Sequence, residues 1–102
     1  MADDLYFIRA GEFVKVGRTT NLQARIVSIQ TGCPFSIDQV FSFQGMGKLE
    51  REVHGSLWND RLRGEWFHWG AAAEAELNEM RRRAFVGAQA MQYLKDMARR
   101  AA

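Results

Sequence analysis

Residues 5–9 and 13–17 are two short, mainly apolar runs on either side of a turn signal, which marks extended strand. Around an Ala10-Gly11 turn the two segments predict a hairpin with Tyr6 opposite Lys15 and Phe7 opposite Val14. Leu5, Phe7, Val14 and Val16 then share the expected core face. Tyr6, Ile8, Phe13 and Lys15 share the other, non-core face, because successive strand side chains point to opposite sides. The period next becomes helical. Leu22, Ile26 and Ile29 recur as one stripe, Asn21 is placed to cap the helix, Gly32 to stop it, and Pro34 forbids continuation.

Residues 36–43 predict a third strand, with Ile37, Gln39, Phe41 and Phe43 on one face. Gly45-Met46-Gly47 breaks that pattern, and a second helix is expected over roughly residues 48–58 with Leu49, Val53 and Leu57 as its core stripe. Residues 59–64 read as a polar, arginine-bearing turn and residues 65–69 as a short aromatic extended segment. From Ala71 onward nearly every residue favours helix. The order β-β-α-β-α plus a long C-terminal helix predicts an α+β fold, a three-stranded antiparallel sheet flanked by helices. Residues 1–69 form the expected module, and residues 70–102 a helix packed on it or used for dimerisation. In that helix Leu77, Met80, Ala84, Gly87, Met91, Leu94 and Ala98 make a heptad-like seam. Phe85, Val86, Tyr93 and Met97 lie outside the seam, an apolar surplus that points to a second copy or a protein partner.

Composition narrows the class without deciding it. A chain of 102 residues holds one core. The net charge is only +2; residues 1–69 balance 8 Lys/Arg against 8 Asp/Glu, so the excess sits in the tail. Most of the module's cations are arginines, whose planar fork suits phosphate. The single cysteine, Cys33, permits no internal disulfide and makes a reducing, cytoplasmic setting the expectation. No stretch approaches the ~20 apolar residues of a membrane span.

The candidate chemistry lies close to these elements. Arg25 borders the apolar stripe of the first helix, from where it can lean over the face carrying Tyr6 and Lys15; alone, it also reads as a solvated arginine. Glu50 and His54, one turn apart on the second helix, suit either an active site or a surface pair. A single carboxylate fits Mg²⁺, which keeps most of its waters and takes further oxygens from phosphate. Two cations near a phenol favour the phenolate, which can draw a proton from water for phosphodiester cleavage. Arg18, Arg61 and Arg63 flank this face as candidate phosphate contacts, or as solvated loop charges. Trp58, Trp66 and Trp69 can stack bases, although Trp66 and Phe67 also suit a core. The Arg81-Arg82-Arg83 run reads as a DNA-backbone contact or as a solvated face.

At these residues the chain resembles the GIY-YIG nuclease superfamily. Leu5-Tyr6-Phe7 stands where the first motif would be, keeping its tyrosine but not its glycine and isoleucine. Lys15-Val16-Gly17 stands at the second, with lysine for tyrosine, as in a small phage and bacterial branch. Arg25, then Leu49-Glu50 with His54, then Arg63-Gly64-Glu65-Trp66-Phe67 complete the similarity; the late asparagine has no equivalent, although Glu65 lies in its neighbourhood. The resemblance implies a metal-dependent DNA endonuclease using Mg²⁺ or Mn²⁺. It implies Tyr6 as general base, Lys15 and Arg25 as electrostatic catalysts, Glu50 as metal ligand and His54 orienting water or Tyr6. Two other classes remain open: a catalytically retired module that binds DNA, and a protein adaptor working through the last helix.

Overall fold

The computed structural model describes residues 2–101. Five antiparallel strands form one sheet: β1 (Asp4–Ala10), β2 (Phe13–Thr19), β3 (Gln39–Phe43), β4 (Arg61–Arg63) and β5 (Trp66–His68), in the spatial order β3-β1-β2-β5-β4. Three helices, α1 (Leu22–Gly32), α2 (Glu50–Ser56) and α3 (Ala71–Ala101), cover it. The architecture is α+β as expected, with five strands in place of three. Both additional strands have three residues, too few to show a period. β4 is wholly exposed and joins the sheet through an irregular pairing with β5, so its sequence carries the polarity of a loop.

The hairpin register also differs from expectation. Tyr6 pairs with Gly17, Phe7 with Val16 and Ile8 with Lys15, and Ala10 closes the ladder against Phe13. The connection is therefore Gly11-Glu12. Gly11 has φ +63°, the left-handed value that a two-residue hairpin with glycine first requires. The Asp38 carboxylate fastens this turn by accepting from the Gly11 amide at 2.7 Å. A slide of two residues leaves each side chain on its expected face, since strand faces repeat every two residues.

Both faces are covered, so no face of the hairpin lies outside a core. On one side Leu5, Phe7, Val14 and Val16 pack with Val53 of α2, with Leu57 just after it, and with Ala73, Leu77 and Met80 of α3. On the other, Tyr6 and Ile8 pack with Ile29 of α1, edged by Leu22, Ile26 and Trp66. Asn21 caps α1 by accepting from the Ala24 amide at 3.1 Å. The segment before β3 is not strand. The Ile37 amide donates to Gln30 Oε1 at 2.9 Å and the Asp38 amide to the Arg9 carbonyl at 2.8 Å. Ile37 therefore joins the α1 side, apart from Phe41 and Phe43.

α2 begins later than expected, after a 3-10 turn over Gly47–Leu49. That turn crosses the start of β1 so closely that a Cβ on Gly47 would meet the Asp3 carbonyl at 2.8 Å. α3 runs 31 residues, but its packing ends early. Beyond Ala84, Phe85 is 62% exposed, Tyr93 64% and Leu94 60%, so only Leu77, Met80 and Ala84 of the expected seam touch the domain. The arginine run serves that junction. Arg81 stacks on Phe41 at 4.8 Å, Arg82 and Arg83 clasp Glu79, and Arg83 reaches Glu52 of α2 at 3.4 Å. The two guanidiniums hold the Glu79 carboxyl down at about 2. No helix among the described residues is long and apolar enough to cross a membrane.

This division of α3 has a measurable consequence. Met80→Ala, at a fully buried position, should lower the unfolding free energy by about 2–5 kcal/mol. Leu94→Ala should change it by less than about 0.5 kcal/mol, both read from urea denaturation.

Candidate functional site

Gly17 organises the site. A Cβ there would stand 2.3 Å from the Tyr6 hydroxyl and 3.1 Å from a Glu65 carboxylate oxygen, so the bare backbone lets both groups approach the end of β2. Tyr6 lies in the α1-side core with no solvent exposure, its hydroxyl included, and the hydroxyl ends against Gly17. Its partner comes from α1. Arg25 Nε donates to the Tyr6 hydroxyl at 3.2 Å, and its Nη2 lies 3.9 Å from Glu65 Oε2. Lys15 approaches the same Glu65 oxygen at 3.7 Å from β2 and sits over the Trp66 ring at 5.4 Å. Tyr6, Lys15 and Arg25 therefore converge, as their spacing in the chain suggests.

The acid at the centre is Glu65. Gly64, with φ +56°, turns the chain between β4 and β5, and the Glu65 carbonyl accepts from the Val16 amide at 3.1 Å. This fixes the residue beside β2. Its Oε2 is buried and accepts no hydrogen bond among the described residues, so the carboxylate is held by charge alone. Two fixed cations facing one carboxylate mark a place where a phosphate oxygen could equally sit. The sequence signal was the left-handed turn at Gly64, which aims the next side chain back at the hairpin.

Glu50 opens α2, where the positive end of a helix favours a carboxylate. It lies close enough for its charge to act on both Tyr6 and Arg25, and it lines a recess with Arg18, Lys48 and Arg51. No group of three or more His, Cys, Asp or Glu side chains could hold a metal among the described residues. A single carboxylate, Glu50, is too few protein ligands for zinc, whereas a hydrated cation such as Mg²⁺ takes most of its oxygens from water and phosphate.

His54 is engaged elsewhere. Its Nε2 lies 2.6 Å from the Val16 carbonyl and its ring packs 5.1 Å from Phe67, which ties α2 to the sheet on the side away from α1. It makes no hydrogen bond to Tyr6 among the described residues. The three flanking arginines also separate. Arg18 pairs with Asp3 at 3.7 Å beside Glu50. Arg61 lies over Trp58 at 4.9 Å and donates to the Gly64 carbonyl at 3.0 Å. Arg63 is exposed at the rim of an apolar cavity. Trp69 lies under Arg9 at 4.6 Å, and Phe67 is fully buried.

The phenol's ionisation runs opposite to the sequence-based expectation. Burial pushes the Tyr6 hydroxyl above its ordinary value, and the charges of Glu65 and Glu50 push the same way. The Arg25 hydrogen bond and charge oppose them without prevailing. Of the two cations expected to favour a phenolate only Arg25 acts on the hydroxyl, and desolvation with two carboxylates outweighs it.

The model of the T5orf172 domain matches residues 5–85. This is a distinct family, and the match corrects the resemblance to the GIY-YIG superfamily drawn from Leu5-Tyr6-Phe7 and Lys15-Val16-Gly17. The matched stretch ends where the burial of α3 ends. No curated protein and no solved structure matches the chain.

A raised phenol links the site to alkaline stability. The folded state binds the Tyr6 proton more tightly than the unfolded chain, so this contribution is complete below about pH 10 and is lost as pH rises above it. The urea midpoint should therefore fall above about pH 10, and Tyr6→Phe should flatten that fall.

Proposed function

The chain belongs to the T5orf172 domain family, a nuclease-like, DNA-binding family, and on that premise we propose that it hydrolyses DNA phosphodiesters with a hydrated divalent cation, Mg²⁺ or Mn²⁺. The observation that carries the reading is the convergence of Tyr6, Lys15 and Arg25 around one oxygen site at Gly17, with Glu50 near enough to act on it. A backbone phosphate takes the position now held by the Glu65 carboxylate and is gripped by Lys15 and Arg25. Glu50 holds the cation, which when bound stabilises negative charge on the departing oxygen.

Tyr6 is the general base, and its raised pKa sets a condition on the reaction. In the free protein the phenol is protonated, and Arg25 covers it. Neutralising Glu50 removes one charge that keeps the proton on. A phosphate in place of the Glu65 carboxylate brings the same charge, and Arg25, kept on the Tyr6 hydroxyl, is the group that favours the phenolate. Once the phenol has released its proton to solvent water, the phenolate takes a proton from the attacking water as its oxygen bonds to phosphorus and the P–O bond to the leaving oxygen breaks. His54, bonded to the Val16 carbonyl, positions β2 and so Gly17.

A second reading is favoured by the same covered, protonated phenol: a module that binds DNA without cutting it. A nicking assay on supercoiled plasmid separates the two. The expected result is nicking only with Mg²⁺ or Mn²⁺, reduced about 10²–10⁴-fold by Tyr6→Phe and by Glu50→Ala in folded protein. Intact plasmid with salt-sensitive retention would establish the binding module instead. Either reading expects Glu65→Gln to tighten DNA binding in chelator. The released cations should steepen the salt dependence by about 0.9 per added phosphate contact on duplex DNA.

A further inference from the structure

Beside the cationic recess lies a cavity of about 220 Å³, between the end of α1 and the β4–β5 hairpin, that the proposed chemistry leaves unused. Its walls are Phe13, Phe35, Leu62 and Trp66, with Cys33 behind them and Arg63 at the rim. Trp66 and Gly32 also border the recess that holds Lys15 and Arg25, so the two spaces are contiguous. Phe35 is 50% exposed and Leu62 43% exposed, an arrangement unfavourable in water unless something covers it.

Phe35 is nevertheless held firmly. The Gln30 side chain donates from Nε2 to the Phe35 carbonyl at 3.0 Å and accepts from the Ile37 amide at 2.9 Å, clasping the loop from both sides. The Phe35 ring leans on Phe13, with centroids 5.4 Å apart, and Phe13 leans on His68 at 5.9 Å. An aromatic face is thus preorganised one step away from two cations.

The occupant must present a flat apolar surface to Phe35 and Trp66 and an anion to Lys15 and Arg25. A nucleotide joins those two features in one unit. The bases of an intact duplex are stacked on one another, so only an unpaired or displaced base can enter. We propose that this cavity holds one unpaired base of the DNA strand whose phosphate lies between Lys15 and Arg25, which makes the substrate single-stranded or locally unpaired DNA. This deepens the nuclease-like, DNA-binding reading and rests on it. The walls are mainly apolar, so the base is recognised by stacking and its identity matters little.

The test is fluorescence anisotropy of a labelled single-stranded oligonucleotide and of the matching duplex, with the full chain in chelator so that nothing is cut. The single strand should bind more tightly. Phe35→Leu, which keeps the packing on Phe13 but removes the aromatic face, should weaken single-strand binding about 5–150-fold and leave the salt slope unchanged. Phe35→Trp should restore it, and an abasic site at one position of the oligonucleotide should reproduce the loss. Equal single-strand affinity for parent and Phe35→Leu, with Arg25→Ala still weakening it, would overturn the base pocket and leave the phosphate recess standing. Loss in Phe35→Trp as deep as in Phe35→Leu would likewise exclude stacking. No binding of either DNA by the parent would remove both readings together.

Discussion

A hydroxyl, a carboxylate and a backbone meet at Gly17 more closely than any side chain there would allow. The Tyr6 oxygen occupies the space of the missing Cβ, 2.3 Å from where that atom would be. From this contact follow the direction of the Tyr6 ring, the reach of Arg25 across from α1, and the position of Glu65 between Lys15 and Arg25. The cost is a desolvated phenol and a carboxylate oxygen without a hydrogen-bond donor. Neither condition stabilises a fold, and such local conflicts concentrate at functional sites.

The electrostatics of the recess are balanced rather than strongly positive. Glu65 answers Lys15 and Arg25, and beside Glu50 Asp3 answers Arg18. On the proposed reading a phosphate would enter by exchanging with a carboxylate, one anion for another, and not by filling a vacant cationic hole. The buried ring makes the phenol sensitive to every charge around it, because charges act strongly where water is excluded.

Much of this was legible in the chain. The alternation that placed Tyr6 and Lys15 on one face survives the two-residue slide of the hairpin, because parity and not register assigns faces. The Leu22, Ile26 and Ile29 stripe and the Asn21 cap locate α1 and hence Arg25. What escaped has physical causes. A sheet covered on both sides makes the second face look merely mixed in sequence, so the burial of Tyr6, and with it the direction of its ionisation, was hidden. Residues 65–69 read as extended, but the backbone pairing that joins β5 to β2 and β4 to β5 leaves no mark on side-chain pattern, and this concealed the central place of Glu65. The cavity at Phe35 depends on a side-chain clasp from Gln30, a contact between a helix and the loop beyond it that no periodicity encodes. His54 gave a motif-like spacing from Glu50, yet its ring turns to the Val16 carbonyl, because the same spacing serves anchoring equally well.

The molecule spans 55 Å in its longest direction against 27 and 21 Å in the others. The later part of α3, residues 85–101, contributes to that length, extending about 25 Å at the rise of an α-helix. Because the Arg81-Arg82-Arg83 clamp fixes its root to β3 and α2, the protruding rod has a set heading relative to the sheet. Anything that gripped its tip would be carried at a defined angle and distance from the face that bears Lys15 and Arg25, as on a boom rather than a leash.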